Sequence, residues 1–119
     1  MSETGKPLGS PGEFFAALDH LAQTIDARAG TDPEASYTAK LLNKGSHKCA
    51  KKLGEEAVEL ALALVSETDD AVAGEAADLL YHLMVALRAR GIALDTVGQA
   101  LAARQGQSGH EEKASRPKP

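Results

Sequence analysis

Two apolar helical runs, each carrying carboxylates three residues apart, constrain this chain more than any other feature. The first holds Gly54-Glu55-Glu56-Ala57-Val58-Glu59, and the second opens on Glu75-Ala76-Ala77-Asp78, sixteen positions after Glu59. Residues three and four apart share one helix face. At about 100° per residue, Lys48, Lys52, Glu55, Glu56 and Glu59 fall within an arc of roughly 100°. Leu53, Leu60, Ala61, Leu64 and Val65 fill the rest of that helix. A single polar stripe therefore turns from basic to acidic along its length. From Ala76 to Leu87 nearly every residue is apolar except Asp78, Tyr81 and His82, which line up with Glu75.

Acids in so apolar a helix need a reason, and charge supplies one. With the two helices side by side, Glu56, Glu59, Glu75 and Asp78 approach within a few ångströms. Like charges about 4 Å apart repel by roughly 4 kcal/mol at an effective dielectric near 20, so a cation or protonation must relieve them. An all-oxygen donor set with no cysteine beside it suits a hard divalent ion, Mg²⁺ or Mn²⁺, better than zinc. The competing reading makes Glu55, Glu56 and Glu59 a solvated face paired to Lys51 and Lys52. Lysine preceding glutamate is the weaker order for such pairs, and the pairing leaves Glu75 and Asp78 unexplained.

The remaining segments read as a helical bundle of about five helices, all-α, with no strand alternation. Residues 1–12, with Gly5, Pro7, Gly9, Pro11 and Gly12, read as a disordered leader. Phe14, Leu18, Leu21 and Ile25 then keep helical spacing until Ala29-Gly30. Ser36 is placed to cap a short helix closed by Gly45, and Ser46 to cap the long helix that reaches about Val65. Gly54 inside that helix costs on the order of 1 kcal/mol against Ala, which predicts close approach of another backbone or a ligand. Thr68-Asp69-Asp70 opens the next helix, and Arg88, Arg90 and Gly91 end it. A last helix, from about Leu94 to Arg104, is expected to cover the bundle. The helical domain thus spans residues 13–104, and residues 105–119 form a polar, flexible tail whose hydroxyl groups and cations equip it to fold over phosphates.

A chain of 119 residues allows one domain. Its 13 Lys and Arg against 17 Asp and Glu, a net charge of −4, give no nucleic-acid footprint and no basic membrane surface. A single cysteine, Cys49, excludes an intramolecular disulfide and suits a reducing compartment, with a buried helical position as its plain explanation. Residues 1–12 contain no apolar stretch of signal-peptide type, so a cytoplasmic setting is expected.

Glu-x-x-Glu followed after a spacer by Glu-x-x-Asp resembles the metal-binding signature of the all-α, MazG-like nucleotide pyrophosphohydrolases. Four further runs narrow the likeness: Ser36-Tyr37-Thr38-Ala39-Lys40-Leu41, Lys52-Leu53-Gly54-Glu55-Glu56-Ala57-Val58-Glu59, Ala77-Asp78-Leu79-Leu80-Tyr81-His82-Leu83 and Ala89-Arg90-Gly91-Ile92. Together they resemble the phosphoribosyl-ATP pyrophosphohydrolase family of histidine biosynthesis, over roughly Glu13 to Arg116. The resemblance implies a homodimer whose helices form a four-helix core. It also implies Mg²⁺-dependent cleavage of phosphoribosyl-ATP to phosphoribosyl-AMP and pyrophosphate. The cyclohydrolase domain to which this activity is often fused uses zinc-binding cysteines; with one cysteine and no room for it here, the product is expected to pass to a separate protein. One departure from the family pattern is Ala93, where a helix-capping Ser is common, and it leaves the start of the last helix open.

On this reading Glu56, Glu59, Glu75 and Asp78 are the metal ligands. Glu55 is a supporting ligand or the base that orients water, and Glu55 and Glu56 are the expected catalytic pair. Lys52 and Lys48, one and two turns before the acids, are expected to hold phosphate oxygens. Lys40, with the Ser36 and Thr38 hydroxyls, is a further candidate for that task or for the second ribose phosphate. His82 is expected to support a carboxylate or the substrate, and Tyr81 to lie in the core. Two rival readings stand beside this one: a housekeeping (deoxy)nucleoside triphosphate pyrophosphohydrolase, and a non-catalytic nucleotide-binding helical dimer.

Overall fold

A computed structural model describes residues 5–106, 109, 113–114 and 116–117. Among the described residues five helices are delimited: α1 (Gly12–Arg28), α2 (Tyr37–Lys44), α3 (Ser46–Ser66), α4 (Asp69–Arg90) and α5 (Leu94–Ala103). No strand occurs among the described residues. Ser108, His110, Glu111, Glu112 and Ser115, on which the reading of the tail as a phosphate flap leans, lie outside the described residues.

Helix ends follow their side chains. The Ser36 side chain accepts a hydrogen bond from the Ala39 amide and starts α2, and Thr68 does the same for α4 through Ala71. Gly91, at φ 79°, closes α4 in the left-handed conformation. The Gly91 amide donates to Arg88 and the Ile92 amide to Leu87, so the last carbonyls are satisfied. Ser46 departs from expectation: it is the first residue of α3 and not its cap. Gly45 stands between the two helices at φ 92°, serving as C-cap of α2 and N-cap of α3. One glycine that tolerates positive φ leaves no room for a separate serine cap.

The architecture is an antiparallel pair, α3 against α4, with α2 laid across both and α1 held against α4 and α2. An ion pair between Arg88 and Asp26, 2.9 Å, ties α4 to α1. Ile25, Leu41, Cys49, Met84 and Val85 form the core, with Leu18, Leu21, Leu42 and Tyr81 packed on it. Cys49 is buried and its thiol donates to the Leu41 carbonyl at 3.3 Å. Burial raises its pKa, as suits an inert structural thiol.

This core gathers α1, α2, the start of α3 and the end of α4. The rest of the α3–α4 pair projects from it with Ala63 buried and with Val58, Leu62, Leu64 and Val65 exposed. Val58, Leu62 and Val65 recur at four and three residues and so form one stripe. The last helix departs further from expectation. It begins at Leu94 behind Ala93 without a side-chain cap and buries none of its residues. Its first turn borders the groove between α1 and α4 beside Ile25, Met84 and Leu87, but Leu101 stays open. Gly54 has nothing of this chain within 4 Å of where a Cβ would stand, so no close approach inside the chain accounts for it.

Candidate active site

Where the α3–α4 pair leaves the core, it brings acids from both helices together. One carboxylate oxygen from each of Glu56, Glu75 and Asp78 lies within 4.8 Å of the others. Glu56 is 7% exposed despite its charge. Its Oε2 and the Oε2 of Glu75 are buried and have no hydrogen-bond partner. The pKa of Glu75 is raised, first by burial and then by the charges of Glu59, Asp78, Glu56 and Glu67. Glu56 is buried, Glu75 half-buried and Asp78 exposed, and the buried oxygens are costly unless something positive meets them. A hard cation answers all three observations at once: oxygen donors only, convergence from two helices, and unpartnered oxygens facing inward.

Glu59, the fourth expected ligand, is exposed and stands outside that close group, although its charge acts on Glu75. Glu55 is exposed on the same face of α3. Lys52 reaches Glu56 Oε1 at 3.4 Å and Glu55 Oε1 at 3.8 Å, and its pKa is raised chiefly by the hydrogen bond to Glu56. The pairing disfavoured by residue order is therefore formed. Buried Glu56 has lost its water, and Lys52 is the cation in reach.

Lys48 and Lys52 line a recess between α2 and α3, together with Tyr37, Lys44, Lys51 and Glu55. Lys40 is exposed on α2 and does not line it. The Ser36 hydroxyl is engaged as a cap. Buried Thr38 shares a hydrogen bond with the Tyr81 hydroxyl, 2.5 Å. Tyr81 packs against the core as expected. Its ring also lies nearly parallel to Tyr37, with centroids 6.4 Å apart at 19°. His82 is buried, and its Nδ1 lies 2.8 Å from the Asp78 backbone carbonyl. A carbonyl only accepts, so Nδ1 donates to it, and Nε2 is buried without a partner. His82 thus holds the turn that carries Asp78, and does so through the backbone and not the carboxylate. The sequence reading passed over Tyr37, Lys44 and Lys51 as parts of the site. Tyr37 and Lys44 share a face of α2 and Lys48 and Lys51 a face of α3, but no spacing within either helix says that the two faces meet.

The model of the phosphoribosyl-ATP pyrophosphohydrolase family matches residues 18–105, which include every residue of both acid runs. This chain belongs to that family. Similar curated proteins carry the name phosphoribosyl-ATP pyrophosphatase: one from Azorhizobium caulinodans is 58% identical over 104 residues, covering 87% of this chain and 95% of that protein. One from Caulobacter sp. strain K31 is 54% identical over 105 residues, 88% and 97% of the two chains. One from Ruegeria sp. strain TM1040 is 55% identical over 101 residues, 85% and 96%. The family's match therefore extends over the whole α3–α4 pair and over α2, the elements that carry the acids and the lysine recess.

Proposed function

We propose that this chain hydrolyses phosphoribosyl-ATP to phosphoribosyl-AMP and pyrophosphate, with Mg²⁺ as its cofactor and Mn²⁺ able to replace it. The observation that carries the reading is the group of three carboxylates within 4.8 Å, two of them with buried unpartnered oxygens, in a member of this family. Glu56, Glu75 and Asp78 would hold the ion, with Glu59 as a fourth ligand. When bound, the ion supplies positive charge to the phosphoanhydride oxygens and acidifies water beside them. Glu55, exposed one step round the helix, accepts the proton of the attacking water. Lys52, which meets Glu56 in the free chain, would turn to a phosphate oxygen, and Lys48 holds oxygens one turn farther on. His82 fixes the backbone under Asp78.

Products test this directly. With Mg²⁺, phosphorus NMR should show phosphoribosyl-AMP and pyrophosphate appearing one for one. Phosphoribosyl-ADP with inorganic phosphate would place the cleavage elsewhere and exclude the reading.

The same proposal takes the chain as a homodimer, acting on a small-molecule substrate in the cytoplasm. Support for the dimer comes from the exposed stripe of Val58, Leu62 and Val65 on α3, since an apolar row of this kind marks an interaction surface. Among the described residues no helix is long and apolar enough to cross a membrane. Light scattering should find twice the chain mass for the wild type and one chain mass for Leu62→Asp. A wild-type monomer would remove the dimer.

A further inference from the structure

Four ammonium groups, Lys44, Lys48, Lys51 and Lys52, line the recess between α2 and α3 in a chain of net charge −4. Lys52 is engaged with Glu55 and Glu56. Among the described residues Lys44, Lys48 and Lys51 form no ion pair. Lys48, Lys52 and Glu56 follow one another at four-residue steps on α3, so Lys48 stands about 12 Å along the helix from Glu56 at 1.5 Å per residue. Four lysines against the single acid Glu55 give this recess a positive balance, which suits an anion.

The recess also has an aromatic wall. Tyr37 is 54% exposed, yet it is backed by Tyr81, whose hydroxyl is bonded to Thr38. The edge of His82 closes on it at 6.3 Å and 77°. Its helix start is pinned by the Ser36 cap. An open ring held from behind, next to free cations, is equipped to take a planar base on its outer face while the ammonium groups take phosphate.

We propose that this recess is the subsite for the monophosphate end of the substrate: Lys44, Lys48 and Lys51 hold the phosphate of the phosphoribosyl group, and Tyr37 lies against the purine between the substrate's two anionic ends. The assignment rests on the function proposed above and deepens it. Phosphoribosyl-ATP has a phosphate at each end, and a simple nucleoside triphosphate has only one. The acid cluster deals with the triphosphate. The basic recess, which adjoins that cluster through Lys52 and Glu55, selects for the two-ended substrate.

The test is calorimetric binding of phosphoribosyl-AMP and of AMP to the full chain with Mg²⁺ present. The wild type should prefer phosphoribosyl-AMP by at least about tenfold, as charge-assisted phosphate contacts provide. The double variant Lys44→Ala/Lys51→Ala, altered at two exposed side chains, should bring that ratio below about threefold. Tyr37→Ala should weaken both ligands alike, and Tyr37→Phe neither. Added KCl should shrink the wild-type ratio, because screening weakens exposed charge pairs. Equal affinity of the wild type for the two ligands, a ratio unchanged in the double variant, or a ratio insensitive to salt would each overturn the subsite. Pyrophosphate release from phosphoribosyl-ATP by the wild type is read separately, so loss of the subsite and loss of the proposed reaction are distinguishable.

Discussion

Glu56→Gln is expected to lower kcat by at least about a hundredfold while the chain stays folded. Removing one electrostatic participant from a phosphoryl-transfer site commonly costs two to three orders of magnitude or more, and Glu56 is the most buried of the three convergent acids. The amide keeps the shape of the side chain but removes the charge that a cation needs. It also takes the charge from one of the two carboxylates that Lys52 meets, leaving Glu55 at 3.8 Å as its ion-pair partner. Steady-state kinetics read the activity, and circular dichroism reads the fold. Near wild-type turnover in a folded Glu56→Gln variant would exclude Glu56 from the metal site. The same substitution should not destabilise the metal-free chain much, because the lost charge was buried with one oxygen unpartnered.

The second large effect is removal of the divalent ion. Chelation should reduce pyrophosphate release to background, and Mg²⁺ should restore it. A ligand that binds only the folded chain stabilises it by RT ln(1 + [L]/Kd), about 2.7 kcal/mol at a hundredfold excess over Kd. Addition of Mg²⁺ should therefore raise Tm by several degrees, without reference to any substrate. In Glu75→Gln the metal-dependent rise should be lost, while the metal-free Tm should equal or exceed that of the wild type. That sign follows from the direction of the Glu75 shift. Its carboxyl is held above the ordinary range by burial and by the charges of Glu59, Asp78 and Glu56, so its ionised form opposes folding. A Tm that ignores Mg²⁺ would contradict a metal site among these acids.

Much of the fold is legible in the sequence because its helix ends are written locally. Ser36, Thr68 and Gly91 each supply the group that ends or begins a helix, and each does so in the structure. Gly45 took two roles at once and displaced Ser46 from the cap position. The last helix shows the limit of periodicity. Leu94, Val97 and Leu101 form an apolar row, which predicts a helix with something to cover, but the row does not say what covers it. Within this chain all three stay at least partly open.

The acid cluster was legible for a similar reason. Glu56 and Glu59 share a face, Glu75 and Asp78 share another, and α3 and α4 are long neighbours joined by a short turn. The depth of each acid was not legible, because Glu56 is buried and Glu59 exposed through the way α4 lies across α3. The recess was less accessible still. Lys44 looks like an ordinary cation at a helix end and Lys51 like a surface charge, and only the packing of α2 on α3 brings Tyr37 and Lys44 to the same recess as Lys48 and Lys51.

The most direct measurement is pyrophosphate release by the purified chain with Mg²⁺, comparing phosphoribosyl-ATP with a panel of nucleoside and deoxynucleoside triphosphates under identical conditions. The expected result is a kcat/KM for phosphoribosyl-ATP higher by orders of magnitude than for any simple triphosphate. Comparable values across the panel would contradict it, leaving the metal chemistry in place and making the chain a general nucleotide hydrolase.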